Sequence, residues 1–216
     1  PPLTKIIPPH QNPPEIEAAN QNRPVMKNRI VLYFSGTGNN RFLAEKIAEE
    51  LQADLRPLDP RIKSTGMIYL LSLLKWRSRI RITAEDILPY HEVIVVGPVY
   101  GGLLLAPLRE AIKLSARLRR PVHFATCCGI SDEEKHHRYG YAQVLEAAAE
   151  AGKGFVKTTA AFPVGLALPA ETDPTEENLM EVRLSEENYT SRLRERVQHF
   201  ARKARQASSR TAAAGG

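Results

Sequence analysis

The chain has 216 residues, 43% of them apolar, and a formal net charge of +6, which is enough material for one well-buried domain and too little for two. Its two cysteines, Cys127 and Cys128, are adjacent, a spacing that suits neither a disulfide framework nor a paired metal-ligand site and excludes a resident four-cysteine iron–sulfur cluster. No uncharged apolar run approaches the roughly 18 residues of a membrane span and the amino terminus carries no charged-then-apolar export signal, so a cytoplasmic protein is expected.

Residues 1–25 scatter Pro1, Pro2, Pro8, Pro9, Pro13, Pro14 and Pro24 among polar residues and read as a disordered extension. Within them Lys5 and Arg23 cancel Glu15 and Glu17, so the positive balance belongs to the rest of the chain. One domain is expected over 26–205 and a disordered tail over 206–216. The first strand is read at 29–34, followed by a glycine-containing turn and a helix carrying Leu43, Ile47 and Leu51 four apart. A short second strand is expected within 53–58. In the long connection that follows, Met67, Leu70, Leu71 and Leu74 recur at helical spacing ahead of the basic stretch from Lys75 to Arg81, where Trp76 is read as packing at a helix end.

A third strand is expected at 92–97, then a helix opened by Pro107 with Leu108, Ala111 and Ile112 inward. The fourth strand is read at 122–126, and a charged loop from Ser131 to Arg138 leads to a helix from about Tyr141 to a left-handed cap at Gly152. A fifth strand follows at 154–162, and a last helix carries Tyr189, Leu193, Val197 and Phe200 on one face. Strands alternating with helices predict an α/β fold with a parallel sheet and helices on both faces.

Basic residues recur in several segments (Arg77, Arg79, Arg81; Arg117, Arg119, Arg120; Arg192, Arg194, Arg196), but no nucleic-acid signature accompanies them. Solvated faces or an acidic protein partner are the expected use of that charge, not nucleic acid. His136 and His137 sit in a charged loop with no third ligand near in sequence, and no metal site is expected there.

Ser35-Gly36-Thr37-Gly38-Asn39-Asn40 falls between the first strand and the first helix, where backbone amides and a helix N-terminus attract a phosphate. The loop has no lysine, unlike a nucleoside-triphosphate loop, and Arg41 stands where a dinucleotide fingerprint needs its third glycine. A phosphate monoester cradled by hydroxyls and amides remains. On these residues the chain resembles the flavodoxin family, whose first loop wraps the FMN phosphate; Asn40 departs from the hydroxyl residue usual at the last position, and an amide still donates there.

The resemblance implies a doubly wound five-stranded sheet of order 2-1-3-4-5, with the loops after strands 1 and 3 meeting at the topological switch point. It further implies that Pro98, Val99, Tyr100, Gly101 and Gly102 lie beside an isoalloxazine ring, with the peptide at Gly101 near N5. Thr126, Cys127, Cys128 and Gly129 would form the other ring-flanking loop, with Tyr139 and Tyr141 as candidates for the outer face. No protein acid, base or nucleophile is required, because the chemistry belongs to the cofactor. The expected role is FMN-based transfer of one or two electrons between protein partners, a reductase or an acidic ferredoxin-like protein. Peripheral membrane contact is an alternative use of Trp76. The rival roles are a small FMN-dependent oxidoreductase of quinones or porphyrinogens, walled by 63–90 and 131–138, and a flavin-free scaffold.

Overall fold

A computed structural model describes residues 27–169, 171–172 and 175–213, so the proline-rich segment lies outside the described residues. Its strands are β1 (Lys27–Tyr33), β2 (Asp54–Pro57), β3 (Tyr90–Val96), β4 (Val99–Tyr100), β5 (Leu103–Leu104), β6 (Val122–Cys128) and β7 (Val156–Pro163). The helices are α1 (Asn39–Leu51), α2 (Thr65–Leu73), α3 (Ala84–Ile87), α4 (Ala106–Arg117), α5 (Ala142–Ala151), α6 (Glu176–Glu181) and α7 (Ser191–Ala213). Five strands form one parallel sheet in the order β2-β1-β3-β6-β7. Counting only those five, this is the expected 2-1-3-4-5 of a flavodoxin-like fold. No helix among the described residues is long and apolar enough to cross a membrane.

The central strands are runs of β-branched residues because both of their faces are covered. Side chains alternate across the sheet. Val31, Ile94, Val96 and Ala125 meet Leu43, Ile47 and Leu51 of α1 and Leu193, Val197 and Phe200 of α7 in one core. Ile30, Leu32, Val93, Val95 and Phe124 meet Leu108 and Ile112 of α4 and Val144 and Ala148 of α5 in the other. Each fully buried Val, Leu, Ile or Phe among them contributes about 1.5–3 kcal/mol. Gly97 lies directly beneath α4, where an added Cβ would sit 2.4 Å from a Leu108 methyl.

Three readings of the sequence are corrected. Gly152 is right-handed (φ −85°), and the left-handed turn after α5 falls at Lys153 and Gly154. The final helix runs through Ala213, past residue 206, and is tied to the sheet there by the Ser208 hydroxyl, which accepts from Arg29 of β1 (3.4 Å). The helical spacing read at 67–74 is borne out by α2, whose inward residues are Ile68, Leu71 and Ser72, while Met67, Leu70 and Leu74 face outward. Trp76 is 60% exposed and does not pack.

Candidate functional site

β1 has β2 on one side and β3 on the other, so the chain leaves their carboxyl ends in opposite directions and opens a crevice between them. There Thr37, Asn39, Asn40, Pro98, Val99, Tyr100, Gly101, Cys127, Cys128 and Gly129 line one cleft of about 330 Å³. Three segments far apart in sequence therefore converge. A larger cavity of about 850 Å³ lies along the outer edge of β7 between α5 and α7, but none of the cleft residues just named lines it. We place the candidate site in the smaller cleft, because it stands at the switch point and has an unpaired helix N-terminus in its wall.

That N-terminus is built by Gly38, which takes φ +100°, a conformation that strains any residue with a Cβ. Its N–H donates to the Ser35 hydroxyl (3.1 Å), which tightens the turn. The first helical bond runs from the Phe42 N–H to the Gly38 carbonyl (3.0 Å), so the amides of Asn39, Asn40 and Arg41 precede the ladder. No acidic residue occupies the first turn, and Gly38 has no side chain to cap it. Such an end favours an anion.

Asn39 and Asn40 are buried and committed within the protein. The Asn40 amide donates to the Cys127 carbonyl (3.2 Å) and accepts from the Cys127 N–H (2.9 Å). β3 stops pairing with β6 at Val96–Ala125, so Asn40 takes the place of the missing strand for one more rung. Asn39 does the same for a more distant segment, donating to the Val182 carbonyl and accepting from the Leu184 N–H, both at 2.9 Å. Their side chains hold the loop in shape; the donors left toward the cleft are the exposed Thr37 hydroxyl and the first-turn amides.

Gly101 and Gly102 both have positive φ (+56° and +71°) and form the two-residue turn of a hairpin pairing Val99 with Leu104 and Tyr100 with Leu103. That is the type I′ geometry. The hairpin swings the Tyr100 ring back over the first loop, where its hydroxyl would lie 2.4 Å from a Cβ at Gly36. Any larger residue there would push the Tyr100 ring aside. Burial raises the Tyr100 phenol above its ordinary value, so it stays neutral.

Gly102 and Thr126, expected beside a ring, are elsewhere. The open side of Gly102 faces the Gln143 side chain and the Arg138 carbonyl. Thr126 is fully buried within β6 and outside the cleft lining, and its hydroxyl has no partner among the described residues. Tyr139 and Tyr141 also lie outside the cleft lining. Tyr141 is buried and donates to Asp132, whose carboxylate is gripped by Arg196 at 2.6 and 2.9 Å. This fork ties the loop after β6 to α7, and Arg196 holds the Asp132 carboxyl below the usual carboxylate range.

The two thiols are buried. Burial lifts Cys127 well above its ordinary value and Cys128 to about 12, so neither is a thiolate near neutral pH. The cleft also includes Val164, Leu179, Met180 and Arg183, which the sequence reading missed. Met180 is 70% exposed at the mouth, and Arg183 folds onto its own segment through the Met180 carbonyl (2.8 Å).

No family model and no curated protein matches the chain. Among solved structures it is similar to a flavoprotein in complex with FMN from Lactobacillus acidophilus, at 17% identity over 62% of this chain and 93% of that one, with a TM-score of 0.48. It is also similar to a short-chain flavodoxin associated with a bacterial microcompartment (10% identity, 85% and 99% coverage, TM-score 0.49). A third likeness is to oxidised flavodoxin 2 from Bacillus cereus (15%, 86% and 99%, TM-score 0.46). At such identities and scores the likeness assigns neither ligand nor reaction to this chain.

Proposed function

We propose that the cleft binds FMN and that the protein carries electrons on it. The observation that carries the reading is the convergence of the three loops at the switch point around an uncapped helix N-terminus. The residues present fit a flavin phosphate and ring. Gly38, with open space where a Cβ would stand, leaves room for an anion over the first-turn amides, and Thr37 adds a hydroxyl. The Tyr100 side chain and the backbone at Gly101 offer a flat apolar wall with a peptide edge. When bound, the flavin supplies the one- and two-electron chemistry.

This chain's own residues bind and orient. The amides at 39–41 and Thr37 fix the phosphate end, Asn40 holds that loop to β6, and the hairpin turn fixes where Tyr100 stands. The buried thiols supply no charge that would oppose a reduced ring. No side chain in the lining is placed as a general acid or base, which suits docking and transfer more than bond-making.

The test is a titration of flavin-free protein with FMN and, in parallel, riboflavin, which lacks the phosphate. FMN binding at least about tenfold tighter than riboflavin is expected for a charge-assisted phosphate contact. Thr37→Val is expected to weaken FMN by about 1–3 kcal/mol, roughly 5- to 150-fold, and to leave riboflavin unchanged. Equal affinity for the two flavins would sink the phosphate placement, and binding of neither would sink the cofactor.

A further inference from the structure

The surface built by residues 61–81 has no part in the cleft lining, and its composition is unlike that of the rest of the chain. Between Arg61 and Arg81 stand six cations (Arg61, Lys63, Lys75, Arg77, Arg79, Arg81) and no carboxylate. The remaining 24 Lys and Arg of the chain equal its 24 Asp and Glu, so this one segment holds the whole net charge of +6. Between the two basic clusters lies Thr65-Gly-Met-Ile-Tyr-Leu-Leu-Ser-Leu-Leu74, ten residues without a charge.

A surface helix normally turns a polar face to water. α2 does not. Met67, Tyr69, Leu70, Leu73, Leu74 and Trp76 are all exposed, Leu73 at 55% and Trp76 at 60%. The opposite face is firmly seated. The Ser72 hydroxyl accepts from the Ala106 N–H (2.8 Å), and buried Arg109 donates to the Trp76 carbonyl (2.6 Å) at the end of the helix. The apolar residues therefore stand outward on a fixed helix.

Half of the flanking cations are free of carboxylates. Lys63 and Arg81 share Asp59, and Arg77 lies 3.8 Å from Glu110 while 78% exposed. Arg61, Lys75 and Arg79 have no carboxylate partner among the described residues. An apolar face with Trp and Leu, framed by Lys and Arg, is the composition that settles into the boundary between headgroups and acyl chains. Six cations, three of them without a carboxylate partner among the described residues, favour a negatively charged surface.

We infer that residues 61–81 dock the protein on an anionic phospholipid membrane, with α2 and Trp76 entering the headgroup boundary. The inference does not depend on flavin binding. Tyr69 lies against Gly101, where an added Cβ would sit 3.0 Å from its ring, so the docked face adjoins the hairpin of the cleft.

The test is co-sedimentation of the full chain, at near-physiological salt, with vesicles of equal parts phosphatidylglycerol and phosphatidylcholine, beside vesicles of phosphatidylcholine alone. Trp76 is the only tryptophan, so its emission in the same mixtures reports on this surface alone. Expected are binding to the anionic vesicles with a blue shift of that emission, and binding to the neutral ones at least about tenfold weaker. Leu70→Glu with Leu73→Glu is expected to abolish the shift, and Lys75→Gln with Arg79→Gln to weaken binding about tenfold. All four side chains are exposed, and circular dichroism checks that the variants fold; Leu70→Gln with Leu73→Gln replaces the glutamate pair if it does not. Absence of binding to anionic vesicles overturns the inference, and so does binding that leaves Trp76 unmoved. Sedimentation equilibrium showing a lipid-free dimer that Leu70→Glu dissociates would also overturn it, by assigning the face to a second copy.

Discussion

The two ends of the central sheet solve opposite problems. At the amino end the chain takes polar groups out of water: buried Glu92 on β3 accepts from part-buried Arg29 on β1 (2.7 Å), and fully buried His123 on β6 has Nδ1 2.7 Å from the Thr158 hydroxyl on β7. At the carboxyl end the chain spends glycines and short polar side chains on shaping loops, and leaves Thr37 and the first-turn amides facing an open cleft. The first arrangement fixes the strands; the second keeps donors for something outside the chain. Polarity alone does not mark a site, and what separates these two polar rows is access: the first is closed off, with even His123 Nε2 buried and without a hydrogen-bond partner among the described residues, while the second opens on a cleft.

The largest expected effect comes from the amino end and is read as a dependence on pH. Burial lowers His123 to about 4 in the folded protein; nearby Arg29 and Lys157 push the same way, and Glu92 opposes them. An unfolded chain takes up the same proton near pH 6.5, so it binds more protons than the native state between those values. Stability is therefore expected to fall as the pH drops from about 6.5 to about 4, by roughly 3 kcal/mol from this group, and to change little through it outside that window. Urea midpoints across the range check this, and His123→Gln should flatten that part of the curve. A variant with an unchanged slope would erase the contrast between the two ends.

Next in size is Asn40→Ala, which leaves a buried N–H and carbonyl of Cys127 without partners and is expected to cost about 2 kcal/mol of unfolding free energy. It should also weaken FMN, because the loop is no longer held to β6. Lost stability with full affinity would mean that the rung and the cleft are independent. The smallest effect belongs to the thiols. With Cys128 raised to about 12 and Cys127 higher than its ordinary value, native protein is expected to resist iodoacetamide at pH 8 for hours, while urea-unfolded chain reacts in minutes. Fast native labelling, read by mass spectrometry, would show that this end opens more readily than its packing implies.

Much of the frame was legible in the residues. The β-branched runs at Val31, Ile94 and Val95 marked central strands because both faces are buried there, and the run from Ser35 to Asn40 marked the anion-friendly turn. The hairpin of Tyr100 was not read, although two adjacent glycines between apolar pairs are its usual signature. Which face of α2 turns inward was not legible, because a stretch with almost no polar residue gives periodicity nothing to contrast; Ser72 and Arg109 orient it through contacts more than 30 residues apart. Met180 and Arg183 reach the cleft because Asn39 pins Val182 and Leu184, a bond across more than 140 positions that no local pattern announces. The two asparagines also read as ligands for a phosphate, since a sequence shows donors and not whether they are already taken.

The rung that Asn40 adds to the sheet gives the Cys127 amide an unusual meaning. Its proton is held by a side chain of the first loop and not by a neighbouring strand, so its exchange with deuterated water times the lifting of that loop, while the amides of Val95 and Val96 time the opening of the sheet. One backbone proton thus serves as a clock for the cleft that runs separately from the clock of the fold.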